Sequence, residues 1–487
     1  MENLKLHPAE VFHYFAEICK VPRPSKHEGK IIEYLRGFAA RHNLPCKVDE
    51  AGNVLITKAA TPGCEGRKTV VLQSHIDMVC EKNADTDHDF TRDPIRTYVD
   101  GEWLKARGTT LGADNGIGVA TELAILASDT IEHGPIECLF TVDEETGLTG
   151  AFALKPGFIT GEMLINLDSE DEGEIFIGCA GGINTTADFT YADEPVPAGY
   201  AGLRINVGGL TGGHSGDDID KGRANANKLL NRLLCTVARQ TDMRLCTIDG
   251  GNLHNAIPRE AEAVIAVPDA DKERVRVALN IFTADVEDEY AATEPNVRLT
   301  LESVPAPATA IDRDTARRLL DAVHGVWSGV YAMSRDIPGL VETSTNLASV
   351  KMKAPGHITI VTSQRSSVTS ARDDMRDTVA AVFRLAGAEV VSNDGYPGWK
   401  PNPGSPLLKI AAAAYRRLFG TDPKVKAIHA GLECGLFLEK YPSLDMVSFG
   451  PTLRGVHSPD ERMLIPTVDK FWRHLLAVLA DIPARDA

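Results

Sequence analysis

Apolar positions in the first third of the chain follow two spacings, one typical of helices and one typical of buried strands. Residues 8–20 and 27–42 repeat apolar side chains at helical spacing. A further helix is predicted at 115–129, where Asp114 and Asn115 are the expected caps. Alternating strands and helices predict an α/β sheet covered by helices. Short apolar runs predict the strands at 52–58, 69–79, 136–142 and 163–168.

The pattern changes near residue 185. Polar and apolar positions then alternate in several runs, which predicts half-buried antiparallel strands with helices at 221–238 and 313–328. A stretch rich in Pro and Gly at 394–406 reads as a linker. After it the α/β pattern returns. We therefore predict an α/β domain formed by residues 1–184 and 396–487, interrupted by an inserted α+β domain at 185–395.

Length, charge and cysteine usage narrow the class of protein. The chain has 487 residues, too many for one hydrophobic core. It carries 51 Lys and Arg against 68 Asp and Glu, a formal charge of −17, which disfavours nucleic acid and anionic membranes as partners. Its nine cysteines are odd in number and form no CxxC motif, which favours reduced thiols and a cytoplasmic location. Neither a signal peptide nor an apolar run of the ~18 residues needed for a membrane span is apparent.

His75 and Asp77 lie two residues apart at the end of a predicted strand. Their side chains should therefore point to the same side. Taken alone, the pair is better explained by a histidine with a hydrogen bond at the end of a strand than by a functional site.

Other acidic residues follow neighbouring elements. Asp114 opens a predicted helix, Glu144 and Glu145 follow one strand, and Asp168 ends another. Ligand sites in α/β sheets lie beyond the carboxyl ends of strands. Converging buried carboxylates require pairing or a cation. An exposed acidic turn remains the alternative for Glu144 and Glu145 considered alone.

The candidate ligands are imidazoles and carboxylates, a set that suits Zn, Mn or Co. His457, in a loop late in the chain, supplies the further ligand that a two-metal site would need. Asp77 could orient His75 by accepting its second N–H. Glu144 would stay free to move a proton. The candidate metal ligands are His75, Asp114, Glu145, Asp168 and His457.

Five motifs, in this order, resemble the M20 metallopeptidases: SHIDMV, GADNG, TVDEETG, INLDSEDEGE and GVHSPDE. The resemblance implies a zinc-peptidase-like catalytic domain with a mixed sheet and two zinc ions. His75 and Asp168 would bind one ion, and Glu145 and His457 the other. Asp114 would bridge the two ions and be followed by a cis peptide. The resemblance also places Glu144 at the general acid/base position and Asp77 at the histidine-orienting position.

The inserted domain resembles the lid of this family. His214 in LTGGHSGDD would stabilise the oxyanion, either from the same chain or from the partner in a homodimer. Asn255 and Arg365 match substrate-binding positions, with Arg365 suited to a substrate carboxylate. A surface arginine is the alternative for Arg365. Glu433 would meet the substrate's amino group with His429 beside it, unless these two form an internal pair.

Further motifs, among them HDFTRDPI, NAIPREA and YPGWKP, extend the resemblance over nearly the whole chain. They resemble the family's dipeptidases that cleave Xaa-His dipeptides such as β-alanyl-histidine. We therefore expect a cytoplasmic metal-dependent dipeptidase that uses two divalent metal ions. A related aminoacylase or tripeptidase would need the same metal ligands. A non-catalytic peptide-binding protein is a further alternative, but it would not need a free Glu144.

Overall fold

The computed structural model describes residues 6–485. They form two compact units. The first contains the chain up to Gly178, Trp399–Ala427 and the chain from Leu432 onward. The second contains Cys179–Gly398 and Ile428–Gly431. The second unit is therefore inserted into the sequence of the first.

Helices and strands alternate along the amino-terminal part of the first unit. In chain order they are α1 (Ala9–Ile18), α2 (Gly29–Arg41), β1 (Cys46–Val48), β2 (Val54–Lys58), β3 (Val70–His75), β4 (Thr97–Asp100), β5 (Trp103–Ala106), α3 (Ala113–Ala127), β6 (Ile136–Thr141), α4 (Glu144–Gly147), α5 (Thr149–Ala153), β7 (Met163–Asn166) and β8 (Glu174–Cys179).

The second unit is richer in strands. Its elements are β9 (Gly181–Thr190), β10 (Asp193–Pro195), β11 (Tyr200–Gly208), β12 (Gly213–His214), α6 (Ala226–Gln240), β13 (Arg244–Gly250), β14 (Ala256–Ile257), β15 (Ala261–Pro268), α7 (Lys272–Glu289), β16 (Arg298–Val304), β17 (Thr309–Ile311), α8 (Arg313–Gly325), β18 (Gly329–Met333), β19 (Val341–Ala354), β20 (His357–Ser366), α9 (Thr369–Leu385) and β21 (Glu389–Ser392). The chain then ends with α10 (Pro406–Phe419), β22 (Lys424–Ile428), α11 (Cys434–Lys440), β23 (Asp445–Ser448), β24 (Leu453–Arg454), β25 (Arg462–Leu464) and α12 (Ile465–Ala480).

A mixed sheet forms the centre of the first unit, with the strand order β1-β2-β6-β3-β7-β23-β8-β22. Strand β3 pairs in parallel with β6 on one side and β7 on the other. All residues of these three strands are buried, as expected for a parallel sheet covered on both faces. The carboxyl ends of β3, β6 and β7 therefore meet at one edge.

The second unit contains an antiparallel sheet. Eight strands follow the order β16-β11-β15-β13-β19-β20-β9-β21, and β18 pairs with β19. Helix α6 packs a row of leucines into the core of this unit, and the Asn225 side chain caps its first N–H groups. The predicted α/β class with an α+β insert is confirmed. No helix among residues 6–485 is long and apolar enough to cross a membrane.

The start of α3 corrects one prediction. Asp114 and Asn115 lie inside the helix with non-helical backbone angles, and neither side chain caps it. Asp114 instead contacts two imidazoles, and the Asn115 amide donates to the Leu167 carbonyl at 2.8 Å. The peptide bond between the two residues is cis. The site beyond the sheet, rather than the helix, determines these side-chain positions.

The Pro- and Gly-rich stretch at 394–406 connects the units but is packed rather than free. The Tyr396 backbone exchanges hydrogen bonds with Gly182, at 2.8 and 3.0 Å. A Cβ atom on Gly181 would lie 2.5 Å from the Tyr396 carbonyl oxygen, so this close approach requires glycine. Trp399 is 3% exposed. The description of this stretch as a linker was therefore incomplete.

His474 is a buried histidine of α12 that faces α10. Its Nε2 lies 2.8 Å from the Ala411 carbonyl oxygen, and its ring packs against Tyr415 and Phe449. Burial lowers the pKa of His474 to about 4. The folded protein therefore keeps this imidazole neutral, so that Nε2–H can donate.

We predict that His474 makes the first unit sensitive to acid. An unfolded histidine takes up a proton below about pH 6.5, whereas His474 in the folded protein does so only near pH 4, so stability falls across this window. The loss from this group is about 3 kcal/mol at most. His474→Gln keeps a donor for Ala411 but does not titrate. Urea unfolding at pH 7 and pH 4.5 should show a smaller loss for the variant, and an equal loss would contradict the prediction.

Candidate metal centre

Four of the predicted site residues, His75, Glu144, Glu145 and Asp168, lie at one edge of the sheet because they are at or just after the ends of β3, β6 and β7. His75 is the last residue of β3 and lies opposite Thr141, the last residue of β6. Glu144 and Glu145 open the short helix α4, which begins three residues after the end of β6, and Asp168 lies two residues after β7. The convergence expected from the sequence is therefore a consequence of parallel pairing.

Asp77 connects the end of β3 with the start of α4. Its Oδ1 accepts the Glu144 N–H at 3.1 Å and its Oδ2 accepts the Glu145 N–H at 3.3 Å. His75 Nδ1 lies 3.3 Å from Asp77 Oδ1, although the contact is not aligned as a hydrogen bond. Burial alone would raise the pKa of Asp77, but His75 and the donors around it hold that pKa below its usual value. Asp77 is thus a buried anion that contacts the ring it was expected to orient.

All five predicted metal ligands come together around Asp114. Its Oδ1 lies 3.1 Å from His75 Nε2, and its Oδ2 lies 3.1 Å from His457 Nε2. His75 Nε2 is also 3.4 Å from Asp168, and His457 Nε2 is 3.0 Å from Glu145. The two imidazoles thus define two groups of ligands that share Asp114.

The electrostatics of this cluster suit divalent cations. Burial, together with repulsion from Asp114 and Glu145, raises the pKa of Asp168 to about 7 despite the nearby His75. Hydrogen bonds to Asp114 and Glu145 raise the pKa of His457 to about 11. Protons on the imidazoles therefore offset the negative charge, a role that bound cations would also fill.

Two details of Glu145 and His457 also indicate that this cluster could bind a metal ion. Glu145 Oε1 is buried and has no hydrogen-bond partner among residues 6–485. His457 has a φ of +61°, a conformation uncommon outside glycine that is frequent at functional sites. Imidazole and carboxylate ligands of this kind, with an oxygen free to coordinate, fit a metal centre.

Glu144 lies beside the ligands. Burial is the main cause that raises its pKa well above the usual value, and repulsion from Asp168, Glu145 and Glu433 adds to it. A carboxyl group in this state can hold a proton near the reacting atoms.

A second buried acidic group, formed by Glu28, Asp77 and Asp143, does not share these features. Glu28 accepts the N–H groups of Lys26 and Asp143. The Asp143 oxygens accept the hydroxyls of Thr146 and Thr149. The protein's own donors therefore satisfy these carboxylates.

Glu433 extends the polar site from the start of α11. Its Oε2 accepts hydrogen bonds from Gln73 at 2.6 Å and Thr141 at 2.8 Å. Its Oε1 is buried and has no partner in the described part of the chain. Burial raises the pKa of Glu433 to about 7. One acceptor oxygen thus remains for a ligand.

Arg365 lies on β20 in the second unit and is 6% exposed, so the surface alternative for it was wrong. Its guanidinium donates to the Tyr396 hydroxyl at 3.2 Å and lies 3.4 Å from His214 Nε2. Its Nε–H has no partner among the described residues. Pairing of β12 with β14 brings His214 near Asn255, and the Ser215 N–H donates to the Asn255 carbonyl.

His429 has its own partner in the second unit. Its Nε2 lies 2.7 Å from the Ser344 hydroxyl, whereas Glu433 bonds to Gln73 and Thr141. Burial and, to a lesser degree, Arg365 lower the pKa of His429 to about 3. His429 is therefore a neutral imidazole.

Two residues behind the candidate metal ligands were not predicted from the sequence. Arg23 and Glu461 bind the backbone of the loop that leads to Asp114. The only sequence signal was the presence of charged residues inside the short motifs VPRPS and HSPDE. Charge in a loop does not by itself predict a buried backbone contact.

Comparisons with known proteins identify the family to which the chain belongs. The model of the peptidase family M20/M25/M40 matches residues 71–481. The chain is 47% identical to the cytosol non-specific dipeptidase of Escherichia coli strain K12, over 99% of this chain and 100% of that protein. It superposes on the aminoacylhistidine dipeptidase of Vibrio alginolyticus with a TM-score of 0.92 and 45% identity, over 99% and 98% of the two chains.

A tripeptidase from Staphylococcus aureus shares the fold at 17% identity, with a TM-score of 0.57 and coverage of 98% and 99%. The M20 resemblance found in the sequence is thus confirmed, and the chain belongs to the peptidase family M20/M25/M40.

Proposed function

We propose that this protein is a metal-dependent dipeptidase. The observation that carries the proposal is the Asp114 carboxylate, whose two oxygens each lie 3.1 Å from an imidazole, beside the raised-pKa carboxyl of Glu144. The names of the Escherichia coli and Vibrio alginolyticus relatives support dipeptides as the substrate class. The first of these names, together with an odd number of cysteines and no CxxC motif, also favours a cytoplasmic location.

His75 and Asp168 would hold one divalent cation, Glu145 and His457 the other, and Asp114 both. Imidazole and carboxylate ligands favour zinc, with manganese and cobalt as alternatives. Bound there, the cations would supply an activated water and polarise the scissile carbonyl.

The protein's own groups would then move the proton. Glu144 accepts it from the attacking water and donates it to the leaving amine. Its buried position, among other carboxylates, favours the protonated form needed for donation. Asp77 keeps His75 and the Glu144 turn in place through the contacts described above.

The ends of a dipeptide offer one positive and one negative charge. Glu433 Oε1, buried and without a partner among residues 6–485, suits the substrate's ammonium group. Arg365, buried with a free Nε–H in the same part of the chain, suits the carboxylate. His214 would stabilise the oxyanion, and Asn255 and neutral His429 would contact the substrate.

Preference for a carboxyl-terminal histidine is the finer part of the proposal. The relatives differ here, because one is named non-specific and the other aminoacylhistidine dipeptidase. We propose that Xaa-His dipeptides such as β-alanyl-histidine are among the substrates.

A substrate panel tests the proposed activity. After chelation and return of zinc or manganese, the protein should cleave β-alanyl-histidine, alanyl-histidine and other dipeptides. A tripeptide and an N-acetyl amino acid should stay intact. Cleavage of only one of these last two would indicate a tripeptidase or an aminoacylase. Absence of any cleavage with two metals bound would indicate a peptide-binding protein.

Glu144→Gln should abolish most turnover while metal binding is kept. Removal of a general acid/base typically lowers kcat by about 10²- to 10⁴-fold. Because Glu144 is not a proposed ligand, the number of metal ions per chain should stay as in the wild type. Stopped-flow assays and elemental analysis measure the two quantities. Wild-type turnover in a metal-loaded variant would remove Glu144 from the mechanism.

Arg365→Met should remove selection for a free carboxylate. The wild type should cleave a dipeptide better than its carboxyl-terminal amide, since hydrogen bonds to a charged group are worth about 1.5–3 kcal/mol. The variant should lose about 10- to 100-fold in kcat/KM for the dipeptide and little for the amide.

Arg244→Met is a matched control, because Arg244 is also buried in the second unit but pairs with Glu194. The control should keep the preference for the free acid. Equal losses on acid and amide in Arg365→Met would show that Arg365 does not bind the carboxylate.

A further inference from the structure

The buried carboxylate of Glu461 accepts hydrogen bonds from four backbone N–H groups of the loop that leads to Asp114. Glu461 Oε2 accepts from Leu111 at 2.7 Å and Gly112 at 2.9 Å. Its Oε1 accepts from Ala113 at 2.8 Å and Asp114 at 3.3 Å. These groups start helix α3, which has no side-chain cap of its own, and the N-terminus of a helix favours an anion.

Arg23 holds the same loop through its carbonyl groups. Its guanidinium donates to the Gly112 carbonyl and also to the carbonyls of Ile76 and Asp77, the latter two at 3.1 and 2.7 Å. The Gly112 peptides are thus bound on the N–H side by Glu461 and on the C=O side by Arg23. A Cβ on Gly112 would lie 2.6 Å from Arg23, and Gly112 has a φ of +66°, so glycine is required here.

The two charged residues connect ligands from distant parts of the chain. Arg23 joins the loop to the residues that follow His75, and Glu461 lies four residues after His457. Both are almost fully buried, at 3% and 2% exposure. Their contacts therefore set where Asp114 lies relative to both imidazoles.

We propose that Arg23 and Glu461 are positioning residues that hold the Asp114 carboxylate between His75 and His457, at the place where it can bind two divalent cations. This inference rests on the proposed metal centre. Residues that orient metal ligands typically change metal affinity about 10- to 100-fold when they are replaced.

Glu461→Gln in the full-length protein tests the proposal. The amide would present a donor where two backbone N–H groups now need an acceptor, and the loop should shift. Competition with a chromophoric chelator should show zinc binding weakened about 10- to 100-fold. The visible spectrum of the cobalt-loaded variant should change as well, because it reports ligand geometry.

Glu137→Gln is the matched control. Glu137 is also buried and accepts the N–H groups of Thr160 and Gly161 at 2.8 and 3.1 Å, but near the start of β6, away from the metal ligands. It should lower the melting temperature of the metal-free protein as Glu461→Gln does, yet keep wild-type zinc affinity and the wild-type cobalt spectrum.

Arg23→Lys provides a second variant if Glu461→Gln does not fold. Lysine keeps the charge but cannot span the same three carbonyls, so zinc affinity should fall in the same direction. Wild-type zinc affinity in either folded variant would overturn the inference. Zinc binding by the wild-type protein is measured first. If the wild type bound no zinc, the proposed metal centre would be wrong, and the variants would not test the positioning role.

Discussion

Parallel pairing of β3 with β6 and β7 is the constraint on which the rest of the site depends. It brings the carboxyl ends of the three strands to one edge of the sheet. The carboxylate side chains near these ends concentrate negative charge where water screens it poorly. Nearby groups reduce the repulsion between these carboxylates: two imidazoles lie close to Asp114, and backbone N–H groups donate to Asp77. The same charge that is unfavourable within the protein favours divalent cations. The stability of this edge and the proposed metal binding are therefore linked.

The second consequence concerns distance along the chain. Asp114 and His457 are 343 residues apart in sequence yet their side chains lie 3.1 Å apart. Side chains so far apart in sequence stay close in space only if the backbone of the loops that carry them is also fixed. Glu461 and Arg23 provide such support, since each binds loop backbone rather than the side chain of a proposed metal ligand. The ligand set and its buried support thus form one structure.

Much of this could be predicted from the sequence, because strand and helix periodicity and local motifs carry it. His75, Glu145 and Asp168 each follow an apolar run, and parallel pairing then determines that they meet. For Asp114 the sequence predicted both a cap and a metal ligand, since both roles suit a carboxylate at a helix start, and the capping role was wrong. Burial of Arg365 and the packing of Trp399 depend on contacts from remote segments, which local patterns do not record. Glu461 was missed for the same reason.

Anomalous X-ray diffraction from zinc-loaded crystals would test the central claim most directly. The account predicts two zinc peaks ~3.5–4 Å apart, as in two-metal sites generally, with Asp114 between them. One peak should lie beside His75 and Asp168, and the other beside Glu145 and His457. A single peak, or peaks at the Glu28, Asp77 and Asp143 group instead, would contradict it.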